Sequence, residues 1–392
     1  MISKRVEKIQ PSFTLEMTAK AAELRRNGVD VINLGVGEPD FNTPKNIRAA
    51  ALKAMDEGHT KYTPGKGTFE IRDAICEKLS RDNSIKYNPD QIIVSSGAKH
   101  SLSTLFQAIL NPNDEVIIFS PFWVSFPDII RLADGNPITV ETNPNDNFSP
   151  IWEDFHSKTS HNTKAILINS PSNPTGSVWN NEIIEKILKI CKKNNWIVVS
   201  DECYEKLVYD TDYQCAELIN SRKKINANVI TIQSMSKTYA MTGWRIGYTA
   251  GDQNIINAMS KIQGQATSCP NSIAQKAAIE ALTGNQKEIN DMKKIFKKRR
   301  KVMIDRLNKI PNINCQVPGG AFYAFPDISY YLNGRISDSF KLSDYILDKA
   351  NTVTVAGAGF GMEGFIRLSY ATDEKIFLEG INRIEKTLLN LN

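Results

Sequence analysis

The 392-residue chain is poor in the side chains that build metal and disulfide sites. It has 4 histidines, His59, His100, His156 and His161, and none stands beside cysteine or carboxylate at a zinc-site spacing. A catalytic metal is therefore not expected. Its 6 cysteines, Cys76, Cys191, Cys203, Cys215, Cys269 and Cys315, form no CxxC and lack the dense spacing of a disulfide framework. They read as reduced thiols filling core positions in a cytoplasmic protein. No apolar run approaches the ~18 residues needed to cross a bilayer, and the opening MISKRVEKIQPSF has no apolar stretch of a secretory signal. Charge of one sign is also scarce. Lys and Arg number 48 against 43 Asp and Glu, a net +5, which is a weak basis for binding nucleic acid or an anionic membrane. There is no internal repeat, low-complexity tract or Ser/Gly-rich linker. With 41% hydrophobic and 23% charged residues, wholesale disorder is excluded. The length is that of about two to three domains, and what remains is a soluble, metal-free globular protein with the composition of an enzyme.

What is present is a recurring unit: a short, β-branched apolar run followed by a helical pattern. The runs lie at 91–95 (QIIVS), 115–120 (EVIIFS), 137–140, 164–169 (KAILIN), 196–201 (WIVVSD), 229–233 (VITIQ) and 245–250 (RIGYTA). Their Ile/Val content predicts strands buried on both faces. Between them, Leu102, Leu105, Phe106, Ile109 and Leu110, and then Ile183, Ile184, Ile187, Leu188 and Cys191, repeat at helical spacing. Such alternation predicts an α/β fold with a doubly wound, mostly parallel sheet of about seven strands. We place this large domain at residues 47–285. Beyond it the spacing predicts a long amphipathic helix, hairpin-like β structure around PGGAF at 318–322 and a helix near 339–349. Strands at 352–355 and 365–370 and a closing helix from Asp373 follow. This is a smaller α+β domain, 286–392, completed by residues 1–46.

Two features invite functional readings that their context opposes. KKIFKKRRK at 293–301 has 7 basic residues in 9, but Ile289, Met292, Ile295, Phe296, Val302 and Met303 thread it at helical spacing. The charges then form one solvated helix face. GFGMEG at 359–364 matches GxGxxG, yet it runs into the strand-like FIRLSY instead of opening a helix, so it is not a dinucleotide fingerprint.

In an open parallel sheet, ligands bind beyond the carboxyl ends of the strands. After QIIVS comes SGAK, in which Gly97, Ala98 and Lys99 open a helix whose free N–H groups suit a phosphate, although any strand–helix turn can contain glycine. After EVIIFS comes Trp123, an aromatic able to stack on a flat ring and equally compatible with loop packing. After KAILIN comes SPSNPTG, where two prolines and a glycine stiffen the backbone around Asn173. Asp201 ends a strand that is predicted to be buried, so it demands a cation; the alternative is a helix N-cap. After VITIQ come Ser234, Ser236 and Lys237, an amine flanked by small hydroxyls, then Arg245, an anion site. Pyridoxal 5′-phosphate satisfies these demands together: its aldehyde needs a lysine, its phosphate a helix N-terminus, hydroxyls and an arginine, and its ring nitrogen a carboxylate.

SPSNPTG at 170–176, DECYE at 201–205, SMSKTYAMTGWRIGY at 234–248, GVGEPDF at 35–41, KYTPGKG at 61–67 and FIRLSYA at 365–371 resemble the class I aminotransferases of the fold type I pyridoxal-phosphate enzymes. The bacterial aspartate aminotransferases are the most similar subgroup, and the resemblance runs from about Pro11 to the last helix. It implies that Lys237 is the Schiff-base lysine and proton shuttle, and that Asp201 partners the pyridine nitrogen. Asn173 and Tyr204 donate to the phenolic oxygen. Ser234, Ser236, Arg245 and the Gly97–Ala98–Lys99 backbone hold the phosphate, and Trp123 stacks on the ring. Gly37 and Arg367 receive the substrate α-carboxylate. Tyr62 reaches the neighbouring subunit's phosphate, which implies a homodimer with shared sites.

Thr14 and Lys99 match positions linked in this subgroup to the distal carboxylate of dicarboxylic substrates, whereas Gln10 stands where prephenate-using relatives carry lysine. The expected reaction is amino transfer from L-aspartate to 2-oxoglutarate. Aromatic, alanine or broad-range transamination, with or without prephenate, is the alternative, followed by a C–S lyase. A ligand-sensing module of a transcription regulator would need about 70 further residues for DNA binding.

Overall fold

The computed structural model describes residues 2–9 and 13–391, with the side chains of Lys4, Arg5, Thr14 and Leu15 left aside. All seven runs form strands of one sheet: β1 (Ile92–Ser95), β2 (Glu115–Phe119), β3 (Asn136–Val140), β4 (Thr163–Asn169), β5 (Ile197–Asp201), β6 (Asn228–Ser234) and β7 (Gly247–Ala250). Their order across the sheet is β1-β7-β6-β5-β4-β2-β3. Every pairing from β6 to β3 is parallel, and β7 is antiparallel to both of its neighbours. Helices cover both faces, so the strands are buried on both: every residue of the central β5, and even of the edge strand β1, is buried. That is why these strands read as continuous apolar runs.

The covering helices arise from local signals. In α2 (Asn181–Asn194) the Asn180 side chain accepts the Ile183 N–H, and Asn195 ends the helix in a left-handed conformation. Between these caps, Ile184, Ile187, Leu188 and Cys191 turn inward onto Ile166, Ile168 and Val198 of β4 and β5. Ile187 and Leu188 are fully buried, each contributing about 1.5–3 kcal/mol. Truncating Leu188 to alanine would cost about 2–5 kcal/mol.

The C-terminal part contains the long helix α4 (Lys287–Leu307), α5 (Ser339–Ala350) and α6 (Glu374–Leu389), the last capped by the Asp373 side chain. Its β structure differs from the expected hairpin. PGGAF is a loop, and the strand after it, β8 (Tyr323–Ala324), pairs with the distant β10 (Ile366–Ser369), to which β9 (Val355–Ala356) also pairs. The predicted strand at 352–355 is split, because Thr352–Val353 pairs instead with Ile32–Asn33. Residues near the N-terminus thus close this part of the molecule, and Met17 and Ala21 pack with Leu347 and Val353.

The basic stretch also departs from expectation. Ile289, Met292, Phe296 and Met303 are buried, but Ile295 is 40% exposed. Arg299 and Arg300 lie inside: Arg299 makes a two-pronged bond to Asp40, and Arg300 donates to the Pro318 carbonyl. Lys297 pairs with Asp210 and Lys298 with Glu374, so four of the seven charges tie the helix to its neighbours, and the two buried guanidiniums are held by acceptors at both Nη prongs. GFGMEG passes through a short 3₁₀ turn into β10, and Phe122 packs against Gly361. Among the described residues, no helix is long and apolar enough to cross a membrane.

Candidate active site

The parallel strands send their carboxyl ends to one edge of the sheet, where a cavity of about 360 Å³ opens. Gly37, Ala98, Lys99, Trp123, Asn173, Asp201, Tyr204, Ser234, Ser236, Lys237, Arg245 and Arg367 all line it. Arg245 reaches this edge from the opposite direction. It precedes β7, and because β7 runs antiparallel, the residues before it lie beside the ends of β1 and β6.

Lys237 sits in a helical turn, α3 (Met235–Thr238), whose N-cap is the Ser234 side chain, accepting the Ser236 N–H at 3.0 Å. Its Nζ donates to the Gly37 carbonyl. Burial disfavours the ammonium form and pulls the Lys237 pKa down to about 8, the nearby Cys203 opposing this and Arg367 adding to it. An amine in this state is more readily available as nucleophile and base than an exposed lysine.

Asp201 is 5% exposed, and its Oδ1 accepts the Cys203 N–H at 3.2 Å. No helix begins there, so it is not an N-cap. Burial pushes its carboxyl above the usual range, with the Cys203 contacts and Lys237 opposing. A carboxylate so placed favours a cationic partner in the cavity.

Asn173 lies in the stiff loop after β4. Its Oδ1 accepts from Arg367 Nη1 at 2.8 Å, which orients its NH2 as the end available to a ligand. Arg367, on β10 and 3% exposed, also donates to the Gly35 carbonyl at 2.7 Å, while its Nε has no partner among the described residues. Burial lowers its pKa. A buried guanidinium without a carboxylate partner is an anion receptor.

Beside them, Gly97 has φ 87°, and a Cβ there would come within 2.5 Å of Arg245 Nη2. The close approach of the guanidinium to the start of α1 (Ala98–Ile109) requires glycine. Arg245 is held by the Thr242 carbonyl at 2.7 Å, next to the free N–H groups of the first turn. Trp123 packs edge-on to Phe126 at 5.4 Å, and Lys99 Nζ lies 4.9 Å from its ring centre. Pyridoxal phosphate fits this donor set: an uncompensated carboxylate, an amine of lowered pKa, an anion cradle around Gly97 and Arg245, and an aromatic wall.

Tyr62 does not line the cavity and is 90% exposed. Gln10 lies outside the described residues, as does the side chain of Thr14. The sequence reading gave no site role to several lining residues, among them Asn169, Glu38 and Tyr323. Asn169, the last residue of β4, accepts from the Asn173 N–H and donates to the Asp201 carbonyl, joining two strand ends. Glu38 accepts from Thr242 Oγ1 at 2.8 Å. Tyr323 comes from β8; its place after PGGAF was the only signal available.

A model of the family "Aminotransferase class I and II" matches residues 29–384. The aspartate aminotransferase of Bacillus sp. (strain YM-2) is 44% identical over 389 residues, covering 98% of each chain. A probable aspartate/prephenate aminotransferase of Aquifex aeolicus is 42% identical over 99% of this chain and 98% of its own. The solved structure of the Thermus thermophilus aspartate aminotransferase with maleate is similar at a TM-score of 0.93, with 38% identity and 99% of both chains covered. The chain belongs to the class I and II aminotransferases.

Proposed function

We propose that this pyridoxal-phosphate-dependent aminotransferase moves the amino group of L-aspartate to 2-oxoglutarate, giving oxaloacetate and L-glutamate. The observation that carries the chemistry is the meeting of Lys237, Asp201 and Arg367 in one cavity. The aspartate assignment is supported by the names of the relatives and by the dicarboxylate maleate in the Thermus structure's title.

When bound, the cofactor supplies an aldehyde for the amino group and a ring that accepts the electron pair of the breaking Cα–H bond. Arg367 and the Gly37 backbone bind the α-carboxylate, which aims the Cα–H bond at Lys237. Lys237 Nζ takes the α-proton as general base and returns it on the far side of the transfer, a role its lowered pKa favours. Asp201 would keep the ring nitrogen protonated, and Asn173 and Tyr204 would donate to the phenolic oxygen. Ser234, Ser236, Arg245 and the Gly97–Lys99 backbone would hold the phosphate, and Trp123 would cover the ring face.

We also assign residues 47–285 to a large cofactor-binding domain and 1–46 with 286–392 to a small domain. The chain acts as a cytoplasmic homodimer in which Tyr62 completes the neighbour's site. The exposure of Tyr62, with Leu52, Met55 and Phe69 also exposed, supports an interface there. Equal mixtures of inactive Tyr62 and Lys237 variants, refolded together, should regain part of the activity if sites are shared.

Specificity is tested at Lys99. Lys99→Ala should raise KM for aspartate and glutamate and leave alanine and phenylalanine nearly unchanged. Measuring substrate ratios in one variant at saturating cofactor cancels any loosening of the phosphate. An unchanged aspartate-to-phenylalanine ratio would favour a broad-range or aromatic transaminase. The aspartate/prephenate relatives make prephenate the second acceptor to assay.

A further inference from the structure

Tyr323 touches three parts of the site without belonging to any of the motifs that define it. Its hydroxyl lies 2.8 Å from that of Tyr204. Its ring lies under the Arg367 guanidinium, 4.5 Å from the centroid. A Cβ at Gly37 would come within 3.0 Å of its hydroxyl, so the loop at Gly37 is shaped around it. Tyr323 is 1% exposed, and its backbone is fixed by pairing with Ser369 across β8 and β10.

We propose that Tyr323 is a positioning residue that acts on the cofactor's phenolic oxygen through Tyr204, as the outer donor of a two-phenol relay. The inference rests on the cofactor reading above. A phenol carries one proton and accepts through its oxygen. Left to themselves, two phenols at 2.8 Å can share a hydrogen bond in either direction. Once Tyr204 gives its proton to an outside oxygen, only one arrangement remains, in which Tyr323 donates to Tyr204. Each bond then polarises the next, and Tyr204 becomes a stronger donor than a lone phenol.

Both phenols keep their protons through the neutral range, because burial raises them above the ordinary value of 10. The groups facing them are the Arg367 guanidinium and the Cys203 thiol, with Lys237 and Asp201 lining the same cavity. A phenylalanine at 323 changes none of these and keeps the ring beneath Arg367. It removes only the outer donor.

The relay has an optical consequence. The coloured group formed by the cofactor on Lys237 changes absorbance as it loses a proton shared with the phenolic oxygen. The deprotonated form carries its negative charge undiluted on that oxygen, so stronger donors favour it and lower the midpoint. In the holoenzyme, Tyr204→Phe should raise the midpoint by about one unit and Tyr323→Phe by about half a unit, roughly a threefold change in proton affinity. The double variant should match Tyr204→Phe alone, since the outer donor acts only through the inner one. A Tyr323→Phe midpoint equal to wild type, even with a lowered melting temperature, would reduce Tyr323 to a structural contact and overturn the relay. Shifts that add in the double variant would also overturn it. Absence of any visible band on Lys237 in the wild-type protein would overturn the cofactor reading, and the relay with it.

Discussion

Asp201 and Glu202 are neighbours in the chain, yet they face opposite sides of the strand end and meet opposite conditions. Asp201 faces the cavity, where its carboxylate accepts the Cys203 N–H and, among the described residues, has no cation bound to it. Glu202 faces a polar cluster behind the sheet. There Ser200 Oγ and the Ala216 N–H donate to its Oε1 at 2.8 and 3.1 Å, and Lys78 and Asn83 both bind the nearby Glu205. Behind the sheet the Lys78 ammonium pairs with Glu205 and also faces the Glu202 carboxyl. Burial and Glu205 hold the Glu202 carboxyl up to about 8, so it stays protonated near neutrality. The rear cluster balances its charge within the protein, whereas the cavity leaves Asp201, Lys237 and Arg367 to be balanced by what binds. That contrast separates a group serving stability from one serving a ligand.

Substitutions should divide the two regions cleanly, and the largest effect belongs to the cavity. Lys237→Ala should cost at least about 10⁴-fold in turnover, because nucleophile and base vanish together. Unfolding by urea should change little, and single-turnover kinetics with a donor–acceptor pair measure the loss. The reverse pattern is expected of Lys78→Met behind the sheet. Leaving Glu205 without its partner should destabilise the fold by about 3–5 kcal/mol, read from denaturant midpoints, with kcat at low temperature nearly unchanged. Comparable damage to catalysis would erase the distinction.

Asp201→Ala comes next, at about 10²–10³-fold in kcat, with Asp201→Glu milder since it keeps the charge and shifts its position. Near-normal turnover in Asp201→Ala would return Asp201 to a purely structural place. The smallest effect is the pH dependence of Glu202. A carboxyl raised from 4.5 to about 8 on folding retains its proton where the unfolded chain has lost it. Its contribution to stability is therefore fully present below about 4.5 and falls as pH climbs towards about 8. Glu202→Gln abolishes this slope. The stability difference between variant and wild type should grow in the variant's favour across that window and level off above it. Parallel stability–pH curves would show that Glu202 is ionised in the folded protein.

The cavity side of this contrast was legible in the sequence, and the rear cluster was not, because Lys78, Asn83, Glu202 and Glu205 meet only through the fold. The strands declared themselves because burial on both faces demands unbroken Ile/Val runs, and Lys99, Trp123, Asn173, Asp201 and Lys237 followed because each stands at or soon after the end of such a run, whereas Gly37, Tyr204 and Arg367 came with the family resemblance. Arg245 is instructive. Its residue type was legible, but its approach depends on β7 running antiparallel, which no local pattern encodes. The pairing of β8 with β10 was hidden for the same reason, since a two-residue strand carries no periodicity and its partner is distant. Arg299 and Arg300 looked like solvated charges because their partners, Asp40 and the Pro318 carbonyl, lie elsewhere in the chain. Tyr323 stands just past PGGAF and belongs to no motif, and its 2.8 Å contact with Tyr204 gives it a place in the site.

Whether Lys237 carries the cofactor is tested most directly by borohydride reduction of the yellow protein followed by proteolysis and mass mapping. A single cofactor-bearing peptide with the modification on Lys237 is expected. Modification of Lys99, which also lines the cavity, or of any lysine outside it, would contradict the assignment of Lys237.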